Sequence, residues 1–100
     1  MNMQQMMIQA QKMQRELQKA QDALAAKEFK VSKAGLVEIT VLGSKEIKSI
    51  NIEKDGFEPD NKEMIEELIV SGLNELFEQI DEESEAINER ITGRRGGMGF

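Results

Sequence analysis

The chain has 100 residues, no cysteine, histidine, tryptophan or tyrosine, and a formal net charge of −6 from 13 basic and 19 acidic side chains. Those absences exclude disulfide staples, thiolate nucleophiles, the usual general base near neutral pH and the common zinc ligands. With 39 % hydrophobic residues and Phe29, Phe57, Phe77 and Phe100 as its only aromatics, a single short domain has few large side chains for a core and gains from a second copy. The segment after Met1 is polar, without the basic cluster and apolar run of a signal peptide, and no stretch approaches the roughly 20 apolar residues of a membrane span. A cytoplasmic protein with no membrane partner is expected.

In the first quarter, Met3, Met6, Ala10, Met13, Leu17, Ala20 and Leu24 recur at alternating steps of three and four, the spacing of a coiled-coil seam. Met7, Ile8, Ala23 and Ala25 widen it, and the remainder is mostly Gln, Lys, Arg and Glu. The pattern predicts a helix from about Asn2 to Ala26, roughly 35 Å long, rich in good helix formers. Such a stripe fits either an outward-reaching helix with a partner or the cap of a small intrachain core. A helix packed partly on its own chain and partly on a second copy satisfies both.

From Phe29 the period becomes two. Phe29 and Val31 alternate with Lys30 and Ser32, then Val37, Ile39 and Val41 with Glu38 and Thr40, and Ile50 and Ile52 with Ser49, Asn51 and Glu53. With reversals at Ala34-Gly35 and Gly43-Ser44-Lys45, this predicts a three-stranded antiparallel meander. Leu42 and Ile47 fall on the face opposite their apolar neighbours, as at strand ends or on a sheet covered on both sides.

Glu58 before Pro59 is biased away from helix, and Asp60 or Asn61 is placed to cap a new one, with Asp60 and Glu63 at capping-box spacing. Met64, Ile65, Leu68, Ile69, Leu73, Leu76, Phe77, Ile80, Ile87 and Ile91 then trace the apolar face of a second helix, the main core helix, ending near Thr92-Gly93. Gly72 inside it costs about 1 kcal/mol of helix propensity, which close backbone packing would justify. The fold class is therefore α+β, helix, meander, helix, with residues 1–93 one domain and 94–100 a flexible Gly/Arg tail.

Chemistry is sparse. Asp81, Glu82 and Glu83 suit a solvated helix face better than a catalytic dyad. Asp55-Gly56 and Asp60-Asn61 lack the spacing of a calcium loop and read as turns. The glycines of residues 94–99 neither follow a strand nor open a helix, so they are no phosphate loop. No enzyme activity, cofactor, metal or small-molecule substrate is expected. Charge is unevenly spread: residues 1–33 carry +3, residues 34–61 carry −3, residues 62–92 carry −8 and the tail adds Arg94 and Arg95. An acidic whole does not steer nucleic acid from a distance, so any contact with a polyanion is local, through the first helix, the tail or both. The same lysines also suit a solvated helix face.

The segments MQQMMIQAQKMQRELQKAQDAL, AGLVEITVLGSKEIKSINI and FEPDNKEMIEELIVSGLNEL, with the Gly-rich tail, together resemble the YbaB/EbfC family of small bacterial nucleoid-associated proteins. The resemblance spans nearly the whole chain. It implies a tweezer-like homodimer with long helical arms, binding to double-stranded DNA with little sequence specificity, effects on nucleoid organisation, gene expression or recombinational repair, and an association with recombination and replication proteins. Mapped onto this sequence, it points to Lys12, Arg15, Lys19, Arg90, Arg94 and Arg95 for DNA and to Ile65, Leu68, Ile69, Gly72, Leu73 and Leu76 for the dimer interface. An alternative from another class is an acidic-surface protein-interaction module acting with repair or replication proteins.

Overall fold

The computed structural model describes residues 2–93. The elements are α1 (Met3–Ala26), β1 (Glu28–Lys33), β2 (Val37–Leu42), β3 (Ile47–Ile52) and α2 (Lys62–Thr92), with short 3-10 turns at Lys54–Phe57 and Pro59–Asn61 before α2. The strands form one antiparallel sheet in the order β1-β2-β3, the meander expected from the alternation. Asn2 sits at the N-cap of α1, its side-chain oxygen accepting the Gln5 N–H at 2.8 Å, which satisfies one of the amides a helix start leaves free.

Pairing places Phe29, Val31, Val37, Ile39, Val41, Ile50 and Ile52 on one face of the sheet. The register shifts between Thr40 and Val41, whose partners are Ser49 and Ile47, so Lys48 is the extra residue of a bulge. That extra residue returns Ile47 to the core side. The expectation of Ile47 on the opposite face fails because strict alternation takes no account of a bulge. α2 crosses this face over β1 and β2, burying Ile65, Leu76 and Ile80 against Leu24, Phe29, Val37, Ile39 and Val41. Gly72 marks the crossing point: a Cβ there would lie 2.8 Å from Ile39 Cδ1 and 3.3 Å from Val31 Cγ1. Close packing, not tolerance, accounts for a glycine in mid-helix.

The start of α2 departs from the capping-box expectation. Pro59–Asn61 forms a 3-10 turn, the N-cap is Asn61 with a helical backbone and no side-chain cap hydrogen bond, and its Nδ2 instead donates to the Asp55 carbonyl at 2.9 Å. Once Asp60 is wound into that turn it no longer occupies the cap. The other end is as expected: Gly93 takes φ +77° and its N–H donates to the Glu89 carbonyl at 2.8 Å.

α1 is fixed to the sheet at its C-terminal end. The β2–β3 turn docks against it, Gly43 N–H donating to the Lys27 carbonyl at 2.8 Å and Ser44 N–H to the Ala25 carbonyl at 3.1 Å. A Cβ on Gly43 would overlap the Leu24 carbonyl, so only glycine permits this approach. Past the sheet, α1 and α2 run antiparallel. Gln21 Nε2 donates to the Ser84 carbonyl, and Ser84 Oγ donates to Gln21 Oε1, both at 3.3 Å. From that contact α2 continues nine residues to Gly93, whereas α1 has eighteen left before Met3. The first nine residues of α1 therefore project about 14 Å past the described end of α2 at 1.5 Å per residue, part of a molecule 69 Å long and 15 Å across its thinnest axis. Residues 2–16 are exposed throughout.

Candidate nucleic-acid interface

Lys12, Arg15 and Lys19 recur at steps of three and four on α1, which gathers them into a sector of about 60°, some 150° around the helix from the methionine seam. All three are exposed. Counting six residues along each antiparallel helix from the Gln21–Ser84 contact puts Arg15 level with Arg90, which is exposed in the last turns of α2. The fold thus gathers four of the expected basic positions at one end of the molecule, away from the sheet. Arg94 and Arg95 lie outside the described residues.

The cations of the body behave differently. Lys27 pairs with Glu83 at 2.8 Å, Lys45 with Asp81 at 2.8 Å, Lys48 with Glu28 at 2.7 Å and Lys33 with Glu75, while Lys62 pairs with Glu66 one turn along α2. Four of these bring an acid from a different element to a lysine, so much of the positive charge near the sheet is internally neutralised. Hydrogen bonding and charge attraction from Lys48 hold the Glu28 carboxyl below its ordinary value, and Glu28 holds the Lys48 ammonium above its own. No ion pair between described residues involves Lys12, Arg15 or Lys19. Among the described residues no cluster of acids has the arrangement of a metal site, and no helix is long and apolar enough to cross a membrane.

A model of the YbaB/EbfC DNA-binding family matches residues 1–95. The chain belongs to that family. It is 42 % identical over 98 residues to a nucleoid-associated protein of Ruminiclostridium cellulolyticum, covering 97 % of this chain and 85 % of the relative. It is 44 % identical over 97 residues to one of Agathobacter rectalis, covering 96 % and 86 % respectively. A crystal structure of an uncharacterized protein from Helicobacter pylori shares the fold at TM-score 0.76 and 18 % identity, covering 93 % of this chain and 99 % of that one. Family membership and the α+β architecture therefore agree with the resemblance read from the sequence.

The six residues expected at a dimer interface separate into two groups. Ile65, Gly72 and Leu76 are buried inside this chain's own core, whereas Leu68, Ile69 and Leu73 keep part of their surface accessible. Beside Ile69, which lies with Ile52 at the β3 side of α2, the part of the sheet face that α2 leaves uncovered presents Ile47 and Ile50, 46 % and 40 % exposed. A groove of about 430 Å³ continues this apolar surface, lined by Ile52, Gly56, Phe57, Ile65 and Ile69, with Phe57 standing free at its mouth. Sequence reasoning missed Ile47, Ile50 and Phe57 as exposed apolar positions. The alternation shows which residues share a face but not that α2 is offset toward β1 and β2.

Proposed function

We propose that this chain is a nucleoid-associated protein that binds double-stranded DNA as a homodimer, with little sequence preference, through the basic face of α1. The observation that carries the reading is the Lys12, Arg15 and Lys19 face: three exposed cations on a projecting helix, outside every described ion pair, in a molecule whose other lysines largely have acid partners. Cations in this arrangement suit phosphates, which position a protein on the duplex without reading bases. Family membership and the names of the relatives support DNA as the partner and the nucleoid as its place. A dimer would bury Ile47, Ile50, Ile69, Leu73 and Phe57 and present two basic faces, each level with an Arg90, with Arg94 and Arg95 as further candidate contacts from the sequence. Nucleoid organisation, gene expression or recombinational repair would follow from occupancy of the chromosome, with recombination or replication proteins as further partners.

The test is an anisotropy titration on duplexes of unrelated sequence at several salt concentrations. Binding should weaken with salt at a log-log slope of about −0.9 per phosphate contact. Neutralising Lys12, Arg15 and Lys19 together to Gln should weaken binding to all duplexes alike and flatten the slope by about 0.9 for each phosphate that no longer meets a cation. Unchanged binding and slope would overturn the assignment of this face.

A second reading has its own observation. Glu63, Glu66 and Glu67 surround exposed Val70 and Ser71 in a shallow groove on α2, a surface suited to a basic protein partner and unsuited to DNA. Replacing these glutamates by Gln should leave DNA binding intact or tighten it if DNA is the partner. In a protein-interaction module the same change abolishes partner capture.

A further inference from the structure

The methionine seam of α1 is covered along only half its length. Leu24 is buried and Leu17 and Ala20 are half-buried, whereas Met3, Met6, Ala10 and Met13, on the same stripe, are exposed, Met3 and Met6 by 77 % and 56 %. The transition falls where α2 ends among the described residues, so the first nine residues of α1 present a continuation of a packed seam against which no second helix lies among the described residues. We infer that this half of the seam pairs with the same half in a second copy of the chain, antiparallel, joining protomers tip to tip at a contact separate from the β3 and α2 surface.

Three observations select that occupant and that orientation. The covered and uncovered halves keep one heptad phase, Met3, Ala10, Leu17 and Leu24 on one position and Met6, Met13 and Ala20 on the other, so the tip is shaped for a helix. Lys12 is the only charged side chain among residues 2–14; two tips meet with little repulsion, and a stripe without positive charge is a poor phosphate surface. Residues 62–92 carry −8, and antiparallel pairing keeps the two acidic α2 helices at opposite ends, whereas a parallel pair would set them side by side. In the antiparallel register Met3 faces Met13 of the second copy and Met6 faces Ala10. Methionine suits such a contact because its unbranched chain adapts to a partner surface. The basic face of α1 points away from the seam and stays open to DNA, so this contact would link DNA-bound molecules to one another. A contact of so few residues is weak alone and gains strength when several copies are held together.

The chain has no cysteine, which makes disulfide trapping direct. Full-length Met3→Cys and Met13→Cys proteins are mixed without DNA under mild oxidation and the mixed disulfide is compared with that from Gln5→Cys and Gln11→Cys, which lie off the seam. The expected result is a several-fold excess of the Met3–Met13 mixed species, together with loss of the largest species in sedimentation when Met3 and Met6 are both changed to Glu. Those two side chains are exposed, so circular dichroism should show the fold retained. Equal trapping on and off the seam overturns the inference, as does a preference for parallel pairs of identical positions. Seam trapping that rises only after residues 94–100 are removed identifies the chain's own tail as the cover and overturns it too. Because no arm contains DNA, failure here is distinct from failure of the DNA-binding reading.

Discussion

At Ala34 the backbone takes φ +55°, followed by Gly35 at +66°, and Leu36 N–H donates back to the Lys33 carbonyl at 2.9 Å. Two consecutive left-handed residues suit Asn-Gly, and a Cβ without a polar handle makes alanine a poor choice for the first. Ala34→Asn should therefore stabilise the protein by about 0.5–1 kcal/mol, a rise of a few degrees in Tm for a domain of this size. An unchanged or lowered Tm would show that this backbone carries no strain for asparagine to relieve. A second prediction at this scale concerns the Glu28–Lys48 pair, which ties β1 to the bulge of β3 across the sheet. Glu28 has a lowered pKa when folded, so its contribution is present above the ordinary glutamate value and is lost as pH falls through the folded value. Lys48 has a raised pKa, so its contribution is present below the ordinary lysine value and is lost as pH rises through the folded one. A carbon-detected titration of the Glu28 carboxyl should return to the ordinary value in Lys48→Gln. A depressed value that persists in that variant would mean another group is responsible.

Among the elements, α1 depends on a very small anchor. Its docking on the sheet rests on Leu24, on the Gly43 and Ser44 amides and on the polar exchange between Gln21 and Ser84. Gly43→Ala sets a methyl against the Leu24 carbonyl, a backbone atom that cannot swing aside. The expected cost exceeds about 2 kcal/mol, with far-UV signal retained and α1 released from the β2–β3 turn, measurable as faster amide exchange at Gly43 and Ser44. Wild-type exchange at these amides would contradict the account. The elements themselves were legible in the residues: the switch from period 3.5 to period 2 at Phe29 and back after Pro59 places α1, the meander and α2 almost where they stand. What escaped was local: the bulge at Lys48 and the 3-10 turn of Pro59–Asn61 each insert backbone geometry that side-chain alternation does not register.

For the molecule as a whole, the exposed apolar side of β3 and α2 is the surface on which the proposed dimer rests. Ile47→Lys and Ile50→Lys change side chains that are half solvent-facing in the single chain, so the protomer should fold as before. At a dimer interface each buries an unpaired charge costing several kcal/mol. Light scattering at micromolar concentration should give twice the chain mass for the wild type and the single chain mass for either variant. A wild type that scatters as one chain, or variants that remain paired, would place the interface elsewhere. The charge distribution follows the same division of surfaces: α2 supplies the acids that pair Lys27, Lys33 and Lys45, and Lys12, Arg15 and Lys19 of α1 stay outside the ion pairs between described residues.

Composition and periodicity by themselves determined the element order, the absence of cysteine and histidine chemistry, the seam on α1 and its basic stripe, because each is a property of neighbours along the chain. Only the tertiary structure decided which halves of those patterns are used. The offset of α2 over β1 and β2 turned Ile65, Gly72 and Leu76 into core and left Ile47 and Ile50 outside, and the end of α2 near Gly93 divided one continuous seam into a buried half and an exposed one. Both outcomes depend on where a distant helix lies, and a repeat of three and four specifies that a face is apolar without specifying what covers it.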